Sequence, residues 1–335
     1  MQGKRNNTFR EIWRELKKSG KILMTMHPRP DGDSFGSCTA MKYVLEKMGK
    51  SVKLVSKDKV NEGLEFYDFN KEVEYGADIQ SLELDEFDCI LFLDYGSLED
   101  YPEEFKEKLK NKKIINIDHH ETNSSYGTLN YVDKKAPSCC SILYEFFENR
   151  GVRFDRELSL RLMVGLCTDT AFFIHGNSLD SFKKALVLLE KGGINYKKDL
   201  YDPIMNNPWK LKKLHGLLLA NMVKKEINGK TVAYSWVTKK EYEKQKLNEA
   251  DIRLGISCMQ NIKDLNLIFT LVQLNGDIKG SFRSLNLDTT IYSTALGGGG
   301  HKLASGFILK THDMKAAIQK VLRTIEEKGF VEIGN

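Results

Sequence analysis

Four short apolar runs, separated by helix-length segments, constrain the fold of this chain more than any other feature. Strands that are buried on both faces of a parallel sheet read as continuous apolar runs, and the length of these runs is typical of strands. Because strands that alternate with helices form layered α/β folds, the sequence predicts an α/β domain with a mostly parallel sheet flanked by helices. The runs are Ile22-Leu23-Met24, Val52-Lys53-Leu54-Val55, Cys89-Ile90-Leu91-Phe92-Leu93 and Ile114-Ile115-Asn116-Ile117.

The segments around these runs carry helix signals. The first begins at Ser34, a residue type preferred as an N-cap, and ends before Gly49, a common signal at helix C-termini. Three later segments have comparable length and apolar spacing. The predicted helices cover residues 34–48, 138–149, 157–167 and 178–191.

The pattern changes in the second part of the chain. A lysine- and leucine-rich stretch at 195–225 favours a helical connector, and the apolar residues beyond it follow the alternation of strands. Asn275-Gly276 predicts a hairpin turn between two such strands. We expect a first domain at 1–192, a helical linker at 193–214 and a smaller α/β domain with a mixed sheet at 215–335.

Length, charge and cysteine content narrow the functional classes. A chain of 335 residues is too long for one compact core. The excess of 51 basic over 46 acidic side chains is mild, which argues against duplex binding by charge alone but is compatible with a small anionic substrate. Six cysteines without CxxC spacing indicate free thiols in a reducing cytoplasm. No apolar run is long enough to cross a membrane.

Acidic residues and histidines follow several of the predicted strands and helices. Ligands of open α/β sheets bind at the carboxyl ends of the strands, and mixed carboxylate and imidazole ligands suit manganese or a similar first-row ion. Together these side chains predict a catalytic site with two divalent ions, rather than a closed structural zinc site. The segments are His27 with Asp31 and Asp33, then Asp94, then Asp118-His119-His120, and finally Asp169.

Each of these segments has a simpler explanation when it is taken alone. Asp31-Gly32-Asp33-Ser34 is also ordinary turn and cap sequence, and Asp94 is placed where a strand-ending turn often has an aspartate. Asp169 alone could simply end a helix. The functional interpretation depends on the whole set, not on any one member.

A glycine run near the C-terminus suggests a second binding element. Gly297-Gly298-Gly299-Gly300 leads into His301, and glycine lets backbone N–H groups approach a phosphate or a base closely. Arg283 offers a fork-shaped donor for phosphate. A flexible loop and a surface salt bridge are the simpler explanations for these two features.

The motifs, in this order, resemble those of the DHH phosphoesterases. The four sets that begin at His27, Asp94, Asp118 and Asp169 resemble the motifs of the catalytic domain. The segment from Gly298 to His301, with Ala304 and Gly306, resembles the signature of the DHH-associated substrate domain. The fourth motif departs from the pattern, since Ala171 stands where glycine commonly follows Asp-Thr. Size and layout look most like the nano-RNase and pAp phosphatase branch.

The resemblance implies a role for each residue. His27 and Asp31 would bind one ion, while Asp33, His119 and Asp169 would bind the other. Asp94 would bridge the two ions, which we expect to be Mn²⁺. Asp118 would either bind an ion or orient His119, and His120 would face the scissile phosphate, so that Asp94, Asp118 and His120 form the catalytic group. Arg283, Gly298, Gly299, Gly300 and His301 would hold the remote phosphate and base of the substrate.

The implied activity is hydrolysis of phosphoric esters by a hydroxide that two metal ions activate. The expected substrates are very short RNA oligonucleotides, cleaved to nucleoside monophosphates, and the mononucleotide bisphosphate 3′-phosphoadenosine 5′-phosphate (pAp). A phosphodiesterase for pApA or cyclic di-AMP is the alternative enzyme, and a nucleotide-binding regulator without turnover is the alternative outside catalysis. We expect a cytoplasmic protein, and the sequence leaves a homodimer open.

Overall fold

A computed structural model describes residues 6–99, 101–174, 176–206, 209–247, 258–259 and 262–333. The chain divides into two compact units, Met1–Asn206 and Asn207–Asn335. The linker proposed at 193–214 spans this division. Within the described ranges, no helix has both the length and the apolar character that a membrane span requires.

The first unit is built on a sheet of parallel strands, as the apolar runs predicted. The described strands lie in the order β3-β2-β1-β4-β5-β6, and every neighbouring pair is parallel. The strands are β1 Lys21–Thr25, β2 Ser51–Ser56, β3 Glu74–Tyr75, β4 Cys89–Leu93, β5 Ile114–Asp118 and β6 Leu129–Val132.

Helices connect and cover these strands. The larger ones of the first unit are α1 Phe9–Lys18, α2 Gly32–Lys47, α4 Glu103–Lys110, α5 Cys139–Asn149, α6 Arg156–Asp169 and α7 Leu179–Gly192. Two helices of a single turn are α3 Glu62–Glu65 and α8 Asp202–Met205, and a π-helical turn covers Tyr196–Tyr201. Short 3₁₀ turns lie at Asp68–Glu72, Ile79–Ser81 and Leu84–Glu86.

Helix α2 begins earlier than the sequence suggested. We expected Ser34 as its N-cap, but the cap is Asp31, whose Oδ1 accepts hydrogen bonds from the backbone N–H groups of Asp33 and Ser34 at 3.0 Å each. The expectation was wrong because several residues of the segment can cap a helix. Capping by Asp31 also brings Asp33 into the first turn of the helix, where its side chain is buried.

The strand order reverses between β1 and β4, which lie side by side in the sheet. Met24 pairs with Leu91 and Thr25 with Phe92, so the two strands end at nearly the same level. Ligands of doubly wound sheets bind at such a reversal, outside the carboxyl ends of the strands. The loops that leave β1 and β4 therefore define the expected binding edge.

Helices α2 and α6 pack closely behind this edge. A Cβ atom on Gly165 of α6 would lie 2.3 Å from Sγ of Cys140 and 2.6 Å from Oδ1 of Asp33. Only glycine leaves room for these two groups. The close packing fixes the position of Asp33 relative to α5 and α6.

The second unit contains a mixed sheet in the order β11-β12-β10-β9-β8-β7, in which only β8 and β9 are parallel among the described pairs. The turn at Asn275-Gly276 joins β9 and β10 as an antiparallel hairpin, as predicted. The strands are β7 Val223–Ile227, β8 Lys230–Val237, β9 Leu267–Gln273, β10 Ile278–Ser284, β11 Gly299–His301 and β12 Ala304–Leu309, and the helices are α9 Trp209–Ala220, α10 Lys239–Lys244, α11 Thr290–Ala295 and α12 Met314–Lys328.

The glycine run of this unit is part of the sheet. Residues Gly299–His301 form β11, which pairs with β12. A Cβ atom on Gly298 would lie 2.0 Å from the backbone oxygen of Gly306 and 2.7 Å from Cα of Phe307. Close backbone packing therefore accounts for at least one glycine of the run.

Candidate metal centre and active site

The predicted site residues of the first unit lie at the reversal of strand order. His27 lies two residues after β1, Asp94 directly follows β4, and Asp118 is the last residue of β5. Asp94 has a left-handed backbone with φ of 52°, an uncommon conformation for a residue other than glycine. Its backbone N–H donates to the oxygen of Ile117 at 3.1 Å, which ties the loop after β4 to β5.

One group of possible metal ligands is formed by His27, Asp31 and Asp94, whose ligand atoms lie within 4.8 Å of one another. Nε2 of His27 is 3.7 Å from Oδ1 of Asp31 and 3.7 Å from Oδ2 of Asp94. The other ring nitrogen of His27, Nδ1, lies 2.9 Å from the backbone oxygen of Pro28. That contact orients the ring so that Nε2 points towards the two carboxylates.

A second group consists of Asp33, His119 and Asp169, and a third of Asp94, His119 and His120. Nε2 of His119 lies 3.9 Å from Oδ2 of Asp33 and 3.3 Å from Oδ2 of Asp169. The same nitrogen is 3.3 Å from Oδ1 of Asp94. Asp94 therefore contacts both groups through its two oxygens.

Backbone groups hold the second set of ligands in place. Nδ1 of His119 lies 3.2 Å from the oxygen of Ala136, and Asp33 accepts hydrogen bonds from Cys139 N–H at 2.5 Å and Cys140 N–H at 3.0 Å. These two amides open α5, and the N-terminus of a helix favours negative charge. Partners of this kind orient ligands and tune metal binding.

The contact between Asp33 and the start of α5 was not foreseen from the residues alone. Ser138 predicted the start of a helix, and it is the N-cap of α5, but nothing in the sequence connected that helix to Asp33. A further unforeseen residue is Asn123. Its side-chain amide donates to Oδ2 of Asp118 at 2.5 Å and to Oδ1 of Asn116 at 2.9 Å.

Asp118 contacts His120 instead of the expected His119. Oδ1 of Asp118 lies 2.8 Å from Nδ1 of His120, and both Asp118 and Asn123 are buried. Asp118 belongs to none of the ligand groups found among the described residues. Its geometry is that of a carboxylate that orients an imidazole, and the imidazole is that of His120.

The carboxylates of the cluster repel one another. Burial, followed by the charges of Asp94 and Asp169, raises the pKa of Asp33 well above its ordinary value. Burial likewise raises the pKa of Asp169, and Asp94 adds to this effect while His119 opposes it. Negative charge gathered in a buried site has a high free energy unless cations neutralise it.

The pKa values of two imidazoles are also raised, although burial acts on them in the opposite direction. Burial tends to lower the pKa of His27 and of His119, but nearby carboxylates outweigh this effect. The hydrogen bond and charge of Asp31, with the charge of Asp94, raise the pKa of His27 to about 9. The contact with Asp94 at 3.3 Å and the charges of Asp33, Asp94 and Asp169 raise the pKa of His119 to about 10.

The residues present fit divalent cations. Buried Oδ1 of Asp94 finds no hydrogen-bond donor of suitable geometry within the described part of the chain, and an acceptor in that state is costly without a cation. Carboxylates and imidazoles together are ligands for first-row metal ions. The site can therefore hold divalent metal.

The turn after Asp169 has an unusual backbone. Ala171, Phe172 and Phe173 have φ values of 48°, 56° and 67°, and left-handed conformations are unfavourable for residues with a Cβ atom. Thr170 stabilises the turn, since its hydroxyl donates to Leu166 O at 2.6 Å and accepts from Phe173 N–H at 3.0 Å. Ala171 thus adopts the conformation for which glycine is best suited.

The predicted substrate residues belong to the second unit. Arg283 lies in β10, is half-buried, and donates to the backbone oxygen of Phe282 at 2.7 Å. Burial lowers the pKa of its guanidinium. Gly298 directly precedes β11, which contains Gly299, Gly300 and His301; the His301 side chain lies outside the described part of the structure.

Comparison with known proteins agrees with the motifs and the fold. The family model "DHH family, N-terminal domain" matches residues 21–166. The chain is 25% identical to the bifunctional oligoribonuclease and PAP phosphatase NrnA of Thermus thermophilus, over 92% of this chain and 90% of that protein.

Solved structures share the fold. An exopolyphosphatase-related protein from Bacteroides fragilis superposes with a TM-score of 0.86 at 22% identity, over 95% of this chain and 96% of that one. The exonuclease RecJ bound to manganese superposes with a TM-score of 0.53 at 16% identity, over 97% and 94% of the two chains. Residues 21–166 are thus similar to the N-terminal domain of the DHH family, and the ordered motifs and the ligand groups at the sheet edge agree with this similarity.

Proposed function

We propose that this protein hydrolyses very short RNAs to nucleoside monophosphates and removes a phosphate from pAp, with two divalent metal ions. The observation that carries the proposal is that two of the three groups of possible ligands, the group of His27 and Asp31 and the group of Asp33 and Asp169, meet at Asp94. Two ions held at neighbouring sites can act on both the attacking and the leaving oxygen of a phosphoric ester. Manganese is the proposed ion, because the donor set mixes imidazole and carboxylate.

His27 and Asp31 would hold one ion, and Asp33, His119 and Asp169 the other, with Asp94 shared. When bound, the ions would lower the pKa of water and neutralise negative charge on the phosphate. The protein's part is to keep the ligand atoms in place before substrate arrives. The amides of α5 do so for Asp33, and the oxygen of Ala136 does so for His119.

His120 would stabilise the phosphate during hydrolysis. The hydrogen bond to Asp118 raises the pKa of His120, which favours the protonated imidazolium. An imidazolium donates hydrogen bonds to the oxygens on which charge accumulates, and positioned donors of this kind are effective in catalysis. Asp118 and Asn123 would act by positioning His120.

The proposed substrate class rests on full-length similarity. The relative from Thermus thermophilus is named for oligoribonuclease and PAP phosphatase activity, and its match extends across both units of this chain. Arg283 and the backbone around Gly298 to His301 would hold the phosphate and base that are not cleaved. Short RNA and pAp both present a nucleoside with a phosphate beside the reacting ester.

The test compares turnover and metal content in the same samples. Protein loaded with manganese should release mononucleotides from a dinucleotide RNA and free phosphate from pAp, as followed by chromatography. Asp94→Asn should abolish both activities and lower the bound manganese. The matched control is Asp68→Asn, because the Asp68 side chain is 96% exposed and should leave both quantities unchanged.

Two results would contradict the proposal. Turnover that persists in Asp94→Asn would exclude a shared ligand, and a wild-type protein that binds manganese without turnover would favour a nucleotide-binding regulator. Parallel assays with pApA and cyclic di-AMP would show whether di-adenosine nucleotides are better substrates.

A further inference from the structure

A groove on the first unit is lined by cations that belong to no proposed function. Arg10, Arg14 and Lys17 lie at helical spacing along the exposed side of α1. Arg150, which caps the end of α5, completes a groove of about 690 Å³. The lining residues are Arg10, Glu11, Trp13, Arg14, Lys17, Lys18 and Arg150.

These cations lack ion pairs of the kind that the lysines of α4 have. On α4, Lys106, Lys108 and Lys110 each lie within 4.0 Å of a glutamate, at 2.8, 3.8 and 2.5 Å. None of the five cations of the groove has such a pair among the residues that the structure describes. The one acid in the groove, Glu11, forms the capping box with Thr8. The groove therefore has a net positive charge.

The favourable interaction of cations with the C-terminus of a helix accounts for only some of the basic residues in the groove. Lys17 and Lys18 lie in the last turn of α1, where cations favour the helix dipole. Arg10 and Arg14 are outside that turn. Arg150 also has a buried Nε without a hydrogen-bond acceptor in the described structure. This donor needs an acceptor, which a phosphate oxygen in the groove would supply.

An aromatic ring lies in the middle of the cations. Trp13 packs edge-on against Phe146, with ring centroids 5.5 Å apart, and remains partly exposed to the groove. Nζ of Lys17 lies 5.9 Å from the centroid of the indole. A positive groove with an exposed aromatic ring is the arrangement by which proteins bind single-stranded nucleic acid.

We propose that this groove binds a segment of single-stranded RNA, with phosphates on Arg10, Arg14 and Lys17 and a base stacked on Trp13. Seven residues of helix separate Arg10 from Lys17, about 10 Å, a length that a few backbone phosphates can follow. The apolar side of α1, with Ile12 and Leu16, is buried in the core and cannot enter a lipid surface. RNA is therefore favoured over a membrane.

The groove is separate from the acidic cluster. Helix α1 ends at Lys18 and β1 begins at Lys21, so Lys17 and Lys18 lie near the amino edge of the sheet. The metal ligands lie at the carboxyl edge, and none of them lines the groove. The RNA segment in the groove is thus a binding partner, not the reacting ester, and the inference does not depend on the proposed hydrolysis.

The test is a binding titration without turnover. A fluorescein-labelled single-stranded RNA of mixed sequence is titrated with the full chain in EDTA at several salt concentrations, and anisotropy is measured. Wild type should bind with a strong salt dependence. The triple variant Arg10→Ala/Arg14→Ala/Lys17→Ala should bind at least tenfold more weakly, and its slope of log affinity against log salt should be smaller by about 2, since each phosphate contact contributes roughly 0.7.

The matched control removes three lysines from another exposed helix. Lys106→Ala/Lys108→Ala/Lys110→Ala changes the net charge equally, but these lysines are paired with glutamates. It should keep wild-type affinity and slope. Unfolding temperatures of both triple variants should match that of wild type. Equal losses of affinity in the two variants would show nonspecific charge attraction and overturn the proposal.

Two further measurements address the base and the lipid alternative. RNA should quench tryptophan emission in wild type and quench it less in Trp13→Phe, which keeps an aromatic ring against Phe146. Equal quenching in wild type and in Trp13→Phe would show that Trp13 does not contact the RNA. Capture by vesicles of phosphatidylserine, without binding of RNA, would overturn the assignment of the partner.

Discussion

Nε2 of His119 lies 3.3 Å from Oδ1 of Asp94, and the two residues follow neighbouring strands of the sheet. The pairing of Leu93 with Ile117 sets this distance, because it places the ends of β4 and β5 side by side. Since Asp94 also contacts His27, the pair lies where the two ligand groups meet. A substitution at either residue should therefore alter both ligand groups.

Asp118→Asn should separate positioning from metal binding. The variant removes the carboxylate that holds Nδ1 of His120 at 2.8 Å, while the ligand groups keep their side chains. We expect kcat on dinucleotide RNA to fall about 100-fold. Bound manganese should stay at the wild-type level. A loss of manganese that parallels the loss of kcat would instead make Asp118 a ligand.

The stability of the metal-free protein should fall as the pH rises. The pKa values of Asp33 and Asp169 are raised in the folded state. Their protonated forms therefore stabilise the fold below the unfolded-state pKa of about 3.9, and this stabilisation is lost as the pH rises through their folded-state pKa. The protonated forms of His27 and His119 stabilise the fold below their unfolded-state pKa of about 6.5. This stabilisation is lost as the pH rises through their folded-state pKa values of about 9 and about 10. All four groups act in the same direction.

Metal should reverse this dependence, because ions bind the deprotonated ligands. We expect the unfolding temperature in EDTA to decrease from about pH 6 to about pH 9, and the increase caused by manganese to grow over the same range. Asp31 and Asp118 have lowered pKa values, so they titrate below this window. A manganese effect that is independent of pH would contradict the ligand set.

Gly165→Ala should displace Asp33, one of the proposed metal ligands, because Gly165 packs against it. The new methyl group would lie 2.6 Å from Oδ1 of Asp33 and 2.3 Å from Sγ of Cys140, so α2 and α5 must shift. We expect a loss of about 1–3 kcal/mol in the free energy of unfolding, together with weaker binding of manganese. Gly216→Ala is the matched control. No atom lies within 4 Å of its new methyl group, and this helix position should gain up to about 1 kcal/mol.

Ala171→Gly should stabilise the protein. Ala171 has a φ of 48°, and the left-handed conformation costs about 1–2 kcal/mol for a residue with a Cβ atom. After the extra chain entropy of glycine, we expect a gain of about 1 kcal/mol or less, measured by denaturant unfolding. Ala316→Gly, at an exposed position of α12, makes the same change in a right-handed helix and should destabilise. A loss in both variants would mean that the turn after Asp169 is not strained.

Arg283→Lys should weaken substrate binding without slowing the chemical step. Lysine keeps the charge but loses the planar fork that suits phosphate. We expect KM for pAp to rise about tenfold, with kcat within a factor of about two. Arg323→Lys, at an exposed position on α12, is the control and should leave both constants unchanged. A fall in kcat with constant KM would contradict a binding role for Arg283.

Much of the fold could be predicted, because burial on both faces of a parallel sheet imposes apolar runs. All four predicted runs lie within β1, β2, β4 and β5. The edge strands β3 and β6 could not be found in the same way. Glu74–Tyr75 has only two residues, and Leu129–Val132 is only partly buried, so neither has the pattern of a central strand.

The gathering of the candidate residues at one edge of the sheet could also be predicted, but not all their contacts. Positions after strands identified His27, Asp94 and the triplet from Asp118, since the carboxyl ends of parallel strands share one edge. The partner of Asp118 could not be predicted, because the choice between His119 and His120 depends on the direction of the chain as β5 ends. The amides that hold Asp33 come from α5, far along the chain, and backbone donors leave no mark in a sequence.

The adjacency of β1 and β4 sets an order of events during folding. Their pairing joins Ile22 to Cys89 across the intervening β2 and β3, and Asp169 enters only when α6 docks on α2. Neither of the two proposed ions would find its full set of ligands in a partly folded chain. We therefore expect metal binding to be a late step, which a nascent chain would reach only after synthesis has passed α6.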